Sequence, residues 1–235
     1  MLVDPRAPAS VLAVVAHPDD AEFSAGGTIA RWTSNGTRAS LCICTNGDKG
    51  SNDPGISSAE LARLREQEER AAASVLGIDE VIFLGHPDGT LQPTLELRRD
   101  IVRVIRQLRP EAVICPDPLR RYGATYVNHP DHRAVGEAAL DAIYPSARDP
   151  LVFPELARAG LEPHKVLRVF VSNPLDPSCL VDIGETLERK IDALRQHRSQ
   201  VSEERLREFL PQRAAEVGAP AGLAYAEGFQ LITLS

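Results

Sequence analysis

Residues 11–16 read VLAVVA, a continuous apolar run that ends directly at the charged motif HPDD, residues 17–20. A short apolar run without polar alternation is typical of a strand that is buried on both faces, as strands of a parallel sheet are. A segment of helical pattern follows and ends at Asn35-Gly36, and a second strand-like run, ASLCICT, occupies residues 39–45. The beginning of the chain therefore predicts a strand, a helix and a second strand.

The alternation of strands and helices continues to the end of the chain. Further apolar runs predict strands at 81–84, 112–115, 166–171 and 231–234. Amphipathic stretches predict helices at 57–77, 94–108, 131–144, 184–197 and 202–215. Strands that alternate with helices of ten or more residues indicate βαβ units. We therefore predict one α/β domain over residues 1–235, with a Rossmann-like, doubly wound, mostly parallel sheet that helices flank.

Local signals mark the ends of elements and the irregular segments. Ser57, with Glu60 three residues later, forms a capping box that opens a helix, and Gly77 stops that helix. Residues 46–55 are a loop by their composition. Residues 145–163 form the one long irregular segment and are predicted to be a flap or an oligomer contact.

Composition and charge exclude several classes of protein. The chain has 26 Lys and Arg against 33 Asp and Glu, and a net charge of −7 argues against nucleic-acid binding, which depends on phosphate neutralisation. No apolar stretch approaches the roughly 20 residues that span a bilayer, and the first ten residues do not read as a signal peptide. Four cysteines lack CxxC spacing and are predicted to be reduced core residues of a cytoplasmic protein: Cys42, Cys44, Cys115 and Cys179.

The chemistry of the protein is expected where its strands end, because ligands of doubly wound sheets bind beyond the carboxyl ends of the strands. The HPDD motif supplies one imidazole and two carboxylates there, and Gly26-Gly27 lacks the GxGxxG spacing of a dinucleotide site. The motif HPDH, residues 129–132, follows the fourth predicted strand. If the two strands are near neighbours, the motifs offer His, His and Asp to a divalent metal and leave one position for water, which is the catalytic zinc pattern.

A structural interpretation of these motifs competes with the functional one. A single His-Pro-Asp at a strand end is usually a turn in which Pro fixes φ and Asp caps the next helix, and His86-Pro87-Asp88 shows how easily the tripeptide arises. Two histidine–carboxylate clusters after different strands favour function, because unpaired charges tolerate burial badly. His164 and His197 are predicted to be structural, since nothing metal-like surrounds them in the sequence, and Trp32 is predicted to be core.

The motifs also resemble a known family. The stretches AHPDD at 16–20, AEFSAGGTIA at 21–30 and HPDHRAVGEAAL at 129–140 resemble the LmbE-like family, also called the PIG-L deacetylases. The resemblance implies an LmbE-like fold and a zinc-dependent hydrolase of linear amide C–N bonds, which removes the N-acetyl group from a small conjugate that contains N-acetylglucosamine. Imidazole and carboxylate ligands suit zinc but also accept iron(II) or cobalt. Compact members of the family, some of them hexamers, imply a homo-oligomer.

The resemblance assigns roles to individual positions. Three residues match the zinc ligands of the family: His17, Asp20 and His132. Three match catalytic groups: Asp19 as general base, His129 as the histidine that steadies the oxyanion, and Asp131 as the acid that supports its neighbours. Three are implied substrate contacts: Arg65, Asp88 and Asp48. Relatives often carry Glu where this chain has Asp48, and some carry Tyr where it has Val127, with Tyr126 one residue further back.

The implied mechanism begins with a water that zinc activates by lowering its pKa toward ~7. Asp19 would deprotonate that water, and His129 would share the resulting oxyanion with the zinc. Asp131 is expected to raise the pKa of His129, or to orient it, by pairing. The leaving amine takes its proton from Asp19 or from His129, and the sequence does not choose between them.

Other functions compete with deacetylation of an amino sugar. A zinc amidase that cleaves a larger amide of a thiol–sugar conjugate would use the same metal chemistry. A sugar-binding module without catalysis would not need Asp19 and His129 beside the metal ligands. A metal phosphoesterase is disfavoured because one His₂Asp site offers no second metal. The deacetylase and the amidase would each act on a small amino-sugar substrate.

Overall fold

A computed structural model describes residues 2–235 of the protein. Its strands are β1 (Leu2–Val3), β2 (Ser10–Val15), β3 (Arg38–Thr45), β4 (Glu80–His86), β5 (Ala112–Pro116), β6 (Arg168–Ser172), β7 (Cys179–Asp182) and β8 (Ala226–Thr233). Its helices are α1 (Asp20–Ser34), α2 (Ser58–Leu76), α3 (Leu95–Leu108), α4 (Pro130–Asp141), α5 (Pro154–Arg158), α6 (Leu187–Leu194) and α7 (Leu210–Gly218). A kinked turn in which Tyr144 is extended follows α4 at Ala142–Ser146, and a wider π-helical turn precedes α7 at Arg205–Phe209.

The strands form an eight-stranded sheet in the order β1-β7-β8-β6-β5-β2-β3-β4. β2 lies between β3 and β5 and is parallel to both, and β5 is parallel to β6. The chain therefore leaves β2 through β3 and β4 on one side and returns to β5 on the other, which opens a crevice at the carboxyl ends of β2 and β5. The predicted doubly wound, mostly parallel sheet is confirmed.

The far side of the sheet differs from the prediction. β8 is antiparallel to both β6 and β7, and it is longer than the predicted strand at 231–234. β1 and β7 were not predicted. β1 has two residues and β7 has four, and such short runs carry too little periodicity for a sequence pattern to register.

The run at the start of the chain is buried on both faces, as its apolar pattern predicts. Leu12 and Val14 of β2 face one core layer together with α3 and α4. Val11, Ala13 and Val15 face the opposite layer with α1, α2 and α6. The predicted core position of Trp32 is also confirmed in this second layer, where its ring lies 5.1 Å from that of Phe170.

Several helix ends follow from local sequence chemistry. The Ser57 side chain accepts from the Glu60 N–H while the Glu60 carboxylate accepts from the Ser57 N–H, so the predicted capping box is formed. Gly77 ends α2 in the left-handed region at φ 73°, which glycine adopts at little cost. The helix predicted over 184–197 is shorter in the structure, because 184–186 form a turn and α6 begins at Leu187.

The irregular segment at 145–163 contains the short helix α5 and is tied to α3. Arg106 is 2% exposed, and its guanidinium donates to five backbone carbonyls of the segment: those of Ser146, Ala147, Asp149, Val152 and Phe153. These bonds satisfy the donors of a buried cation and fasten the loop to the core. These residues of the segment are therefore fastened to α3, and its role as a flap or an oligomer contact stays a prediction.

The four cysteines are buried free thiols, in line with the prediction that they belong to the core. Across residues 2–235, helices with the length and apolar character of a membrane span are absent.

Candidate active site

The two histidine motifs meet in the crevice between β2 and β5. His17 and Asp20 follow β2 directly, and His129 and His132 lie at the start of α4, which follows β5. The His17 ring lies 4.9 Å from the ring of His129 and 5.2 Å from that of His132, measured between ring centroids. The convergence that the order of the strands predicts is therefore present in the fold.

Three side chains present their polar atoms to a common point. His17 Nδ1 lies 3.3 Å from His132 Nε2, and the Asp20 carboxylate lies 3.4 Å from the first nitrogen and 3.0 Å from the second. Ligands bound tetrahedrally at zinc distances have donor atoms about 3.3 Å apart. Two imidazole nitrogens that face each other beside a carboxylate also form a donor set that favours a cation. The residues His17, Asp20 and His132 therefore fit a divalent metal.

Two carboxylates contact the second nitrogen of the His17 ring. His17 Nε2 lies 3.0 Å from Asp88 Oδ1 and 3.3 Å from Asp131 Oδ2. Burial alone would lower the pKa of His17, but hydrogen bonds and charges from Asp20 and Asp88 raise it to about 10. The same negative field favours a metal cation, and carboxylate partners of this kind fix the orientation of metal-ligating histidines.

Asp131 does not form the expected pair with His129. Its fully buried carboxylate accepts the backbone N–H of Gly89 at 2.8 Å and of Leu91 at 3.2 Å, and its third partner is His17. The loop after β4 therefore draws the Asp131 side chain toward His17. The expected pairing of Asp131 with His129 is therefore wrong, and the acid contacts His17 of the other motif.

His129 caps the N-terminus of α4, and its Nδ1 accepts the Asp131 N–H at 3.2 Å. Burial and the charges of His17 and His132 lower the pKa of His129, although Asp131 acts in the opposite direction. The contribution of Asp131 to the pKa of His129 therefore has the expected upward direction, but the net shift is downward. A neutral imidazole whose Nδ1 accepts a hydrogen bond carries its proton on Nε2 and can donate from that atom.

Asp19 stands beside this cluster in an unusual backbone conformation. Its φ is 92°, in the left-handed region that few residues other than glycine adopt. Burial and the negative charge of Asp20 raise the pKa of Asp19 to about 7, against the opposing charge of Arg65, whose Nη2 lies 3.5 Å from Asp19 Oδ2. A carboxyl group with a pKa near neutrality is suited to proton transfer.

The predicted substrate contacts lie close to the cluster in different settings. Arg65 is 4% exposed and donates to the carbonyls of Pro18 and Gly47 at 2.7 and 3.0 Å. Asp88 accepts the Lys49 N–H at 2.9 Å besides its contact with His17. The Asp48 carboxylate lies 2.5 Å from the Lys49 ammonium. Contact of Arg65, Asp88 and Asp48 with a substrate stays a prediction.

A cavity of about 420 Å³ opens onto Asp19, Asp20 and His132. An adjoining cavity of about 880 Å³ is lined by Tyr122 and Tyr126. The two cavities share three lining residues: Asn173, Phe209 and Arg213. The site is therefore the inner end of a longer cleft whose outer part has aromatic walls.

A second polar cluster behind Asp19 escaped the sequence analysis. Glu22, Glu69 and His197 are fully buried, and one carboxylate oxygen of each glutamate lies within 4.8 Å of one His197 ring nitrogen and of the other oxygen. Burial raises the pKa of Glu22 to about 7 and raises that of Glu69 well above its ordinary range. His197 therefore has two acids beside it, although the sequence predicts no metal-ligating residues around it. Arg65 and Glu69 are four residues apart on the inner face of α2, but nothing in the sequence places Glu22 or His197 beside that face.

Comparisons with known proteins agree with this geometry. Residues 12–143 match the family described as PIG-L, GlcNAc-PI de-N-acetylase. The chain is 35% identical over 225 residues to diacetylchitobiose deacetylase of Thermococcus kodakarensis, covering 94% of this chain and 82% of that protein. It is 32% identical over 197 residues to a probable N-acetyl-alpha-D-glucosaminyl L-malate deacetylase 2 of Bacillus anthracis, covering 81% and 80%. The structure of N,N'-diacetylchitobiose deacetylase from Pyrococcus horikoshii, complexed with its inhibitor MPG, superposes with a TM-score of 0.89 at 30% identity, covering 96% of this chain and 84% of that one.

Proposed function

The chain belongs to the PIG-L family of de-N-acetylases, and from that membership we propose that it is a metal-dependent hydrolase that removes the N-acetyl group from a small conjugate of N-acetylglucosamine. One observation carries the proposal: the polar atoms of His17, Asp20 and His132 converge at metal-ligand spacing beside Asp19 in an open cavity. A sugar-binding module would have no use for a half-buried carboxyl group of raised pKa at that place.

We assign the metal to His17, Asp20 and His132, and we name zinc as the metal because two imidazoles and one carboxylate are a common catalytic zinc set. Iron(II) and cobalt fit the same ligands. When bound, the ion supplies Lewis acidity, which lowers the pKa of water and polarises the amide carbonyl of the substrate. Asp88 and Asp131 hold the His17 ring at Nε2, which leaves Nδ1 facing Asp20 and His132, the two other residues that would hold the metal.

The protein's own groups manage the protons and the developing charge. Asp19 takes a proton from the attacking water, and its raised pKa lets it return that proton to the leaving amine. The lowered pKa of His129 favours Asp19 over His129 as this proton donor. His129 donates from Nε2 to the oxyanion of the tetrahedral intermediate, and loss of one such donor typically slows turnover by about 10²–10³-fold.

The cleft supports a substrate with an extension beyond the reacting sugar. The inner cavity would take the N-acetylglucosamine ring, and the Tyr122 and Tyr126 rings of the adjoining cavity offer apolar faces to a second ring or an aglycone. We retain Arg65, Asp88 and Asp48 as proposed substrate-binding residues near the proposed metal ligands.

We further propose that the protein works in the cytoplasm as a homo-oligomer, with a hexamer as one form. Buried free thiols suit a reducing compartment. Leu151, which is 83% exposed, is a side chain that a subunit interface would cover.

The proposal is tested by metal analysis together with amine release from N-acetylglucosamine conjugates. Asp19→Asn is expected to keep the bound metal but to lose about 10²–10⁴-fold in turnover, the usual share of a general base. His132→Ala is expected to lose the metal itself. Glu137→Gln, on the exposed side of the same helix, is the control and should match the wild type. Full activity of Asp19→Asn, or activity that a chelator leaves untouched, would contradict the proposal.

A further inference from the structure

One helix holds both edges of the peptide group that precedes the Asp19 side chain. The Pro18 carbonyl accepts a hydrogen bond from Arg65 Nη2 at 2.7 Å, and the Asp19 N–H donates to Glu69 Oε2 at 3.0 Å. Arg65 and Glu69 are four residues apart on α2 and therefore lie on the same face of the helix. Because a peptide group is planar, contacts at its oxygen and at its N–H together fix the orientation of the whole plane.

The orientation of this plane decides where the Asp19 carboxyl group lies. The φ of 92° at Asp19 is the rotation about the bond that leaves the plane toward the side chain. A residue other than glycine keeps such a conformation only where its surroundings impose it. Without the contact to Glu69, the peptide could turn, and the side chain would leave its place beside Asp20 and Arg65.

Packing fixes Glu69 itself. The side chain is fully buried, and its neighbours Glu22 and His197 are fully buried too. An acid in such a place is costly, and an apolar side chain would fill the same volume at lower cost if packing were its only role. The hydrogen bond to the Asp19 N–H gives the acid a reason to be there.

We propose that Glu69 is a positioning residue for deacetylation, which holds the Asp19 carboxyl group at the attacking water by accepting the Asp19 N–H. The inference rests on the proposed role of Asp19 as general base. It predicts that the reach of the acceptor at position 69 matters and that its charge does not.

Two variants separate reach from charge. Glu69→Gln keeps a carbonyl oxygen at the same distance from the helix and removes the acid, whereas Glu69→Asp keeps the acid and withdraws it by one methylene. We expect Glu69→Gln to stay within about threefold of the wild-type kcat and Glu69→Asp to lose about 10²-fold, the typical effect of a displacement near 1 Å. The KM and the metal content should not change in either variant. Glu66→Asp and Glu66→Gln, one turn earlier on α2, are matched controls that should leave kcat unchanged.

A kcat of Glu69→Asp equal to the wild type, or equal losses in the two variants, overturns the inference while the deacetylase function stands. Amide hydrogen exchange at Asp19, followed by NMR, tests the contact without any substrate. We expect the Asp19 amide to be protected in the wild type and in Glu69→Gln and to exchange faster in Glu69→Asp. Equal exchange in all three proteins overturns the inference, whichever reaction the enzyme catalyses.

Discussion

Replacing Gly136 by alanine tests how closely the helix that carries the second motif must approach the sheet. A Cβ at Gly136 would lie 2.4 Å from the Pro116 carbonyl oxygen and 2.9 Å from the Pro118 nitrogen. Ordinary contacts of a Cβ begin at 3.4 Å, so α4 has to move outward by about 1 Å to make room. Both contacts are with backbone atoms, which cannot rotate away as a side chain would.

The cost can be worked from these contacts. Overpacking of this kind costs about 1–3 kcal/mol, and a clash with backbone falls in the upper part of that range. Alanine returns about 1 kcal/mol through its helix propensity, which leaves a net loss of about 2 kcal/mol. For a domain of this length the melting temperature should fall by about 4–8 °C.

The same shift acts on the site, because His132 lies one turn before Gly136 on α4. An outward movement near 1 Å opens the 3.3 Å approach of His132 Nε2 to His17 Nδ1. We therefore expect Gly136→Ala to weaken metal binding in a zinc titration and to lower the melting temperature in circular dichroism. Gly123→Ala, where a Cβ meets open space, is the control and should stay within about 0.5 kcal/mol of the wild type. A Gly136→Ala protein with wild-type melting and metal affinity would refute the reasoning.

Three further perturbations probe the fold and the metal. Lys190→Met should cost about 3–5 kcal/mol in urea unfolding because it leaves the Glu227 carboxylate buried without its cation, and adding Glu227→Gln should recover part of the loss. Burial would raise the pKa of Glu111, but the Ala9 N–H and Arg168 hold it below its ordinary 4.5. The contribution of this carboxylate to the free energy of unfolding is therefore present above pH 4.5 and is lost as the pH falls through the folded-state pKa. Glu111→Gln should therefore be less stable than the wild type at neutral pH, and the gap in denaturant midpoint should close in acid. A chelator should lower the melting temperature of the metal-loaded protein. Where the free metal stood at a hundred times its dissociation constant, the free energy of unfolding should fall by on the order of 3 kcal/mol. The melting temperature of His132→Ala should not change on adding the chelator.

The sequence sufficed for the parallel half of the sheet and for the meeting of the two motifs. The β2 run is apolar on both faces and is therefore buried in the sheet. A charged motif at the end of such a strand lies in the crevice, because the crevice is where the carboxyl end of the strand meets solvent. Helix ends with their own chemistry, such as Ser57 and Gly77, were also predictable, because the signals are local.

What escaped prediction depends on contacts between distant segments. The partner of Asp131 is decided by two backbone N–H groups of the loop after β4, and backbone donors leave no trace in residue identity. The cluster of Glu22, Glu69 and His197 joins α1, α2 and the turn after α6, so each residue looks like an isolated charge until the helices are packed. The antiparallel β8 was hidden for the same reason, since the direction of a strand is a property of its neighbours.

The ion pair of Lys190 and Glu227 contacts the backbone of α1, the helix that begins at Asp20. The Phe23 carbonyl accepts from the Lys190 ammonium at 2.9 Å, and the Gly27 N–H donates to the Glu227 carboxylate at 3.0 Å. Phe23 and Gly27 are four residues apart, so both contacts fall on the same face of α1. The ion pair therefore holds α1 one turn after Asp20, the residue that begins the helix and that we propose as a metal ligand. Lys190→Met should therefore weaken metal binding as well as stability, although Lys190 is not a metal ligand.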